Sequence, residues 1–98
     1  ITNRALDDMS DIYNYIAEKL QNSVAAMKQY NRMADCIEFL SVFPERNMLL
    51  QSQPEHDMGI RKQLIDNYSV LYCVEKEEIT VLRVLYSASD VLSRLRDK

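Results

Sequence analysis

Tryptophan is absent from this 98-residue chain, glycine and histidine occur once each, and proline and cysteine twice each. Each scarcity removes a class of function. With Gly59 alone there is no glycine-rich loop to cradle a phosphate, and with His56 alone there is no pair of imidazoles for a metal. A serine nucleophile needs histidine as its base, and no spacing ties His56 to a particular serine. Its neighbours Glu55 and Asp57 form only a loose carboxylate pair in a surface loop. Cys36 and Cys73 are too few and too far apart for a disulfide framework or a zinc site, and both fall in apolar periodic segments, so they read as buried reduced thiols. No metal or cofactor is expected. The longest uninterrupted apolar run, Val70 to Val74, is far short of the roughly 20 residues of a membrane span, and no charged-then-apolar leader opens the chain. A soluble, intracellular protein is expected.

What is present is an ordinary globular mixture, 47% apolar and 28% charged, in a length that suits one core, so residues 1–98 are expected to form a single domain. The net charge of -3 attracts no polyanion. Neither half of the chain is a basic module, so any nucleic-acid function needs a local cluster of cations.

Periodicity divides the chain in two. From Arg4 to Leu20, Leu6, Met9, Tyr13, Ile16 and Leu20 recur at steps of three and four, with Ala5, Ile12 and Ala17 widening the stripe. Thr2 or Asn3 can cap this helix, and Asp7 and Asp8 suit its positive end. The polar break Gln21-Asn22-Ser23 leads to a second helix, Val24 to Val42, carrying Ala26, Tyr30, Met33, Ile37 and Leu40 at the same spacing. A short turn between two amphipathic helices predicts an antiparallel hairpin. Phe43 to Asp57 holds both prolines and shows neither period, which reads as a long loop. After Gly59 the period becomes two. Strands are expected at Ile60 to Ile65, Tyr68 to Val74 and Ile79 to Tyr86, with turns at Asp66-Asn67 and Glu75 to Glu78. Ser87 or Ser89 can cap a short final helix with Val91, Leu92 and Leu95. The expected fold is α+β, a helical hairpin on one face of a three-stranded antiparallel meander with the other face open.

In order, the helical hairpin, Gly59-Ile60-Arg61, Asn67-Tyr68-Ser69-Val70-Leu71-Tyr72 and Val81-Leu82-Arg83-Val84-Leu85-Tyr86 resemble the RelE/ParE superfamily of type II toxin–antitoxin toxins, from Arg4 to about Leu95. The resemblance implies a small cytoplasmic toxin of RelE-like fold, neutralised by a cognate antitoxin that wraps a segment over it, and able to form a homo-oligomer. RelE-like members cut mRNA on the ribosome, and ParE-like members inhibit DNA gyrase. The family usually opens with a β-strand before the first helix. Here the chain starts at Ile1-Thr2 without methionine, so that strand is expected to be missing or partial. An unpaired sheet edge could then recruit a partner strand.

For RelE-type cleavage the resemblance points to Arg61 and Arg83 as cations on a phosphate, with Tyr86 donating a proton or stacking on a base. The alternative for the arginines is pairing with acidic neighbours, and for Tyr86 it is packing. After the last strand the family carries an arginine–aspartate pair. Asp90 matches, but Ser89 stands in place of the arginine. Losing that cation, with a net negative charge, disfavours ribosome-dependent cleavage, and Leu82-Arg83-Val84-Leu85 looks closer to ParE-like members. The leading expectation is a toxin acting on DNA gyrase or another essential target. The alternatives are an mRNA endonuclease, or a degenerate toxin that retains only antitoxin binding. For contact with antitoxin or target the candidates are Lys62, Tyr68, Tyr72 and Asp90, together with the apolar trio Met48, Leu49 and Leu50, which is expected to be exposed in the polar loop.

Overall fold

A computed structural model describes residues 1–97. Helix α1 (Asn3–Asn14) starts at Thr2, whose Oγ1 accepts from the Ala5 amide at 3.1 Å and satisfies one of the orphan donors of the first turn. It does not run on as an α-helix to Leu20. Tyr15–Lys19 forms a π-helical turn, and Gln21 takes the left-handed region at φ 51°. Helix α2 (Ser23–Val42) is capped by Asn22, which accepts from the Ala25 amide at 3.0 Å. Tyr13 and Tyr30 meet edge-on across the hairpin, ring centroids 6.3 Å apart.

Strands β1 (Ile60–Ile65), β2 (Tyr68–Glu75) and β3 (Glu78–Tyr86) form an antiparallel sheet in the order β1-β2-β3. Gly59, at φ 77°, provides the left-handed turn that enters β1. Asp66 turns the first hairpin at φ 53° and ties it to α2, accepting from Arg32 Nε at 2.8 Å, Arg32 Nη2 at 2.9 Å and Gln29 Nε2 at 3.0 Å. The second turn places Lys76 and Glu77 at φ 51° and 68°, where glycine or asparagine is the less strained choice. Leu71 faces Arg83 while Tyr72 faces Val81, so Leu82 is the extra residue of a bulge.

One face of the sheet carries the main core. Ala5 and Met9 of α1 and Met33 and Leu40 of α2 close over Val70, Tyr72, Val81 and Val84. The buried stripe of the first helix is thus Ala5, Met9 and Ile16 with Ile12 half-buried, and Leu6 and Leu20 lie outside. The opposite face, expected to be bare, is covered over half its extent. Ile60, Leu71 and Leu85 are buried there beneath Leu50 of the long loop and Val91 and Leu95 of helix α3 (Val91–Arg96). Three apolar sheet residues left in water would forfeit about 1.5–3 kcal/mol each, which is enough to draw down the long loop and the short final helix. Lys62, Leu64 and Thr80 remain exposed on that face. The cap of α3 is Asp90, accepting from the Ser93 amide at 3.2 Å, and not Ser87 or Ser89.

Candidate functional site

Phosphate chemistry at Arg61, Arg83 and Tyr86 requires the three to converge, and the strand register keeps them apart. Arg61 lies opposite Tyr72 on one edge strand, and Tyr86 lies opposite Tyr68 on the other. Four residues along β2 and two strand spacings across separate them by roughly 16 Å. A shared phosphate needs groups within about 3 Å of its oxygens.

Arg83 is also already engaged. Its Nε and Nη2 donate to Asp8 Oδ2 and Oδ1 at 2.7 and 2.9 Å, and its Nη1 donates to the Arg94 carbonyl at 2.7 Å. Asp8 Oδ2 accepts in addition from the Val84 amide at 3.0 Å. Both side chains are buried, and the hydrogen bond to Asp8 holds the guanidinium pKa above its ordinary value. This is a structural tie among α1, β3 and α3. Arg61, half-buried, donates to the Asn47 carbonyl and faces a shallow hollow beside Met48, Gln51 and His56.

The other candidates separate by burial. Tyr72 is 0% exposed, and its Oη donates to the Pro44 carbonyl at 3.0 Å and accepts from Asn47 Nδ2 at 3.1 Å. It pins the start of the long loop, so contact with a partner is excluded for it. Within the apolar trio only Met48 is open, at 77% exposure. Leu49 bridges to the Arg61 backbone and Leu50 packs in the second cluster. Asp90 is committed to capping α3. Lys62 is exposed on β1. Cys36 and Cys73 are free and half-buried, and burial pushes both thiols up, away from the reactive thiolate. Among the described residues, no group of three or more histidine, cysteine or carboxylate side chains could hold a metal.

Tyr68 and Tyr86 do come together. Their rings meet edge-on with centroids 5.9 Å apart, and burial, followed by the neighbouring Tyr86, raises the Tyr68 hydroxyl pKa. They form one wall of a groove of about 530 Å³ whose other wall is Ile12, Tyr15 and Leu20, with Asp11 and Arg94 also lining it. Tyr15 and Leu20 are more than half exposed and Tyr86 about half. Sequence periodicity missed Leu20 by placing it on the core stripe, and the π-helical turn is what carries it outward, since the widened turn breaks the helical phase. An apolar groove walled by aromatic side chains can bind a protein segment, because tyrosine offers large contact area with few rotors.

A family model described as the ParE toxin of the type II toxin–antitoxin system parDE matches residues 1–91. The chain is also similar to a solved structure titled "Chromosomal ParDE TA system from P. aeruginosa", with 22% identity, coverage of 87% of this chain and 89% of that one, and a TM-score of 0.71. At that identity the likeness is one of fold. No curated protein matches the chain.

Proposed function

The chain belongs to the ParE toxin family of type II toxin–antitoxin systems, and from that premise we propose that it acts by binding proteins. A cognate antitoxin seats an apolar segment in the groove between the π-helical end of the first helix and the Tyr68–Tyr86 pair. Growth inhibition follows when the free toxin engages an essential cytoplasmic target, and DNA gyrase is the target that ParE-like members inhibit. The observation that carries this reading is the groove itself, with Tyr15, Leu20 and Tyr86 held open at its walls. Its counterpart is the dispersal of Arg61, Arg83 and Tyr86, which supports binding over RNA cleavage. No helix is long and apolar enough to cross a membrane.

The test is induced expression with and without a cognate antitoxin. Loss of DNA supercoiling with intact mRNA is the expected outcome. Cleavage of mRNA within codons would instead restore the endonuclease reading, and normal growth under confirmed expression would leave antitoxin binding alone. Tyr15→Asp and Tyr86→Asp should weaken antitoxin binding about tenfold or more, as loss of an aromatic anchor does. Tyr15 is mostly in water, so the melting temperature of its variant should hold, whereas Tyr86 packs on Tyr68 and its variant should lose some stability while remaining folded. Unchanged affinity in both variants removes the groove from the antitoxin's path.

A further inference from the structure

The 20 residues of α2 carry the chain about 30 Å along a molecule 41 × 28 × 21 Å in extent, so the two ends of that helix open onto separate surfaces. The antitoxin groove lies near its start, beside Leu20. At its far end the chain folds over the β2–β3 turn, and a second open hollow lies between Val42, Phe43, Pro44 and Glu45 on one side and Val74 and Glu77 on the other.

Val42, Phe43, Pro44 and Val74 give this hollow apolar walls, and its rim carries Glu45 and Glu77 against one cation, Arg46. Val42 is 67% and Phe43 54% exposed, and Phe39 beside them is also open, its ring 5.1 Å from that of Phe43. Single exposed apolar residues are ordinary, but three within about one helical turn make a patch. Arg46 sits over the Phe39 ring, 5.0 Å from its centroid. Glu45 and Glu77 form no ion pair among the described residues. Across the turn from each other, Glu75 and Glu78 are paired in register, so like charges face one another at the tip. A cationic partner would relieve that repulsion.

We propose that this hollow is a second docking surface, which takes a lysine- or arginine-rich segment with an apolar anchor presented by the protein the toxin acts on. The proposal rests on reading the chain as a toxin. Charge complementarity selects the occupant: the one lining cation, Arg46, is drawn over the Phe39 ring, and the carboxylates on both sides of the apolar walls match basic residues flanking an apolar one. Position selects its source, because a segment seated in the first groove leaves this end of the molecule uncovered.

A fluorescein-labelled 12-residue peptide of alternating lysine and leucine is titrated into the full chain, with its glutamate–leucine counterpart as reference. The basic peptide should bind, and added salt should weaken it. Glu45→Lys/Glu77→Lys and Val42→Ser/Phe43→Ser should each weaken it at least tenfold. Asp7→Lys/Glu18→Lys makes the same change in net charge away from the hollow and should cost less than threefold. An equal loss in that control, or no binding by the unaltered chain, overturns the proposal. Glu77→Gly removes a carboxylate while relieving the left-handed backbone, so binding should fall while the melting temperature holds or rises. Binding that persists undiminished in Glu77→Gly counts against the site.

In cells, Glu45→Lys/Glu77→Lys should relieve growth inhibition while the antitoxin still copurifies. Unrelieved inhibition overturns the assignment to the target, and loss of antitoxin copurification assigns the hollow to the antitoxin and overturns it too. If the unaltered chain fails to inhibit growth, the toxin reading fails, and the peptide titration still decides whether the surface exists.

Discussion

The two faces of the sheet are buried by different means. On the first, two helices lay four buried side chains over four buried sheet residues in one continuous cluster. On the second, the buried apolar cluster is Ile60, Leu71 and Leu85, and α3, which covers them, contributes no buried residue of its own. A six-residue helix cannot stand by itself in water. It is held instead at its charged end. Arg96 reaches Glu55 at 2.9 and 2.8 Å and the Gln53 carbonyl at 3.0 Å, and Arg4 of α1 reaches the Asp97 carbonyl at 2.9 Å. The first face should therefore open only with global unfolding, and the second should open locally at lower cost.

One contact spans both arrangements, and its removal should have the largest effect. Arg83 binds Asp8 of the main layer and the Arg94 carbonyl of α3 together. Asp8→Ala leaves a buried guanidinium without its counter-ion and the Val84 amide without its acceptor. A loss of about 3–5 kcal/mol in urea unfolding is expected. Asp8→Leu/Arg83→Met should recover much of it, because the desolvation cost goes with the charges. A loss in Asp8→Ala below about 1 kcal/mol would mean that water already reaches the pair.

Next in size, Met33→Ala removes a fully buried side chain from the first face and should cost about 2–5 kcal/mol, with amide exchange accelerating throughout the sheet. Its counterpart on the second face, Leu95→Ala, removes a half-buried side chain and should cost about 1 kcal/mol. Exchange should accelerate in residues 91–96 and stay unchanged in β2. Faster exchange in both would make the two faces one cooperative unit and remove the contrast.

That contrast was only half legible in the sequence. The period-two runs placed all three strands within a residue or two, and the 3.6-residue stripe Ala26, Tyr30, Met33, Ile37 and Leu40 placed α2, because each pattern reflects a face buried along its whole length. The second face is covered by Leu50, from a loop with no period, and by Val91 and Leu95, whose short helix is expected from the sequence but whose docking onto this face is set by tertiary contact alone. The same holds for the candidate site. Tyr68 and Tyr86 could be read from strand alternation. The partners of Arg83 and Tyr72, Asp8 and Pro44, are 75 and 28 residues away, and no local pattern reports such a pairing. The π-helical turn that turns Leu20 outward has no compositional mark either.

The last effect shows only in acid, and it tests the charged clamp on α3 directly. Hydrogen bonds from Arg96 and then Ser52 hold Glu55 down from its ordinary 4.5 to about 2. A carboxylate with a lowered folded-state pKa contributes stability that is fully present above its unfolded value and is lost as pH falls through the folded one. The contribution of Glu55 should therefore persist above about pH 4.5 and disappear between there and about pH 2. Glu55→Gln keeps the shape and removes the charge, so it should be less stable than the unaltered chain at neutral pH and converge with it toward pH 2. Asp66, whose pKa the Arg32 hydrogen bond also lowers, titrates in both proteins and cancels in the difference. Amide exchange read across residues 91–96 at pH 7 and pH 3 separates a local clamp from a global one. If the clamp is local, the protection of α3 relative to the intrinsic exchange rate at each pH should fall in acid far more in the unaltered chain than in Glu55→Gln, with β2 protected in both. Equal acid sensitivity of α3 in the two proteins would show that Val91 and Leu95, and not the ion pair, keep the helix on the sheet.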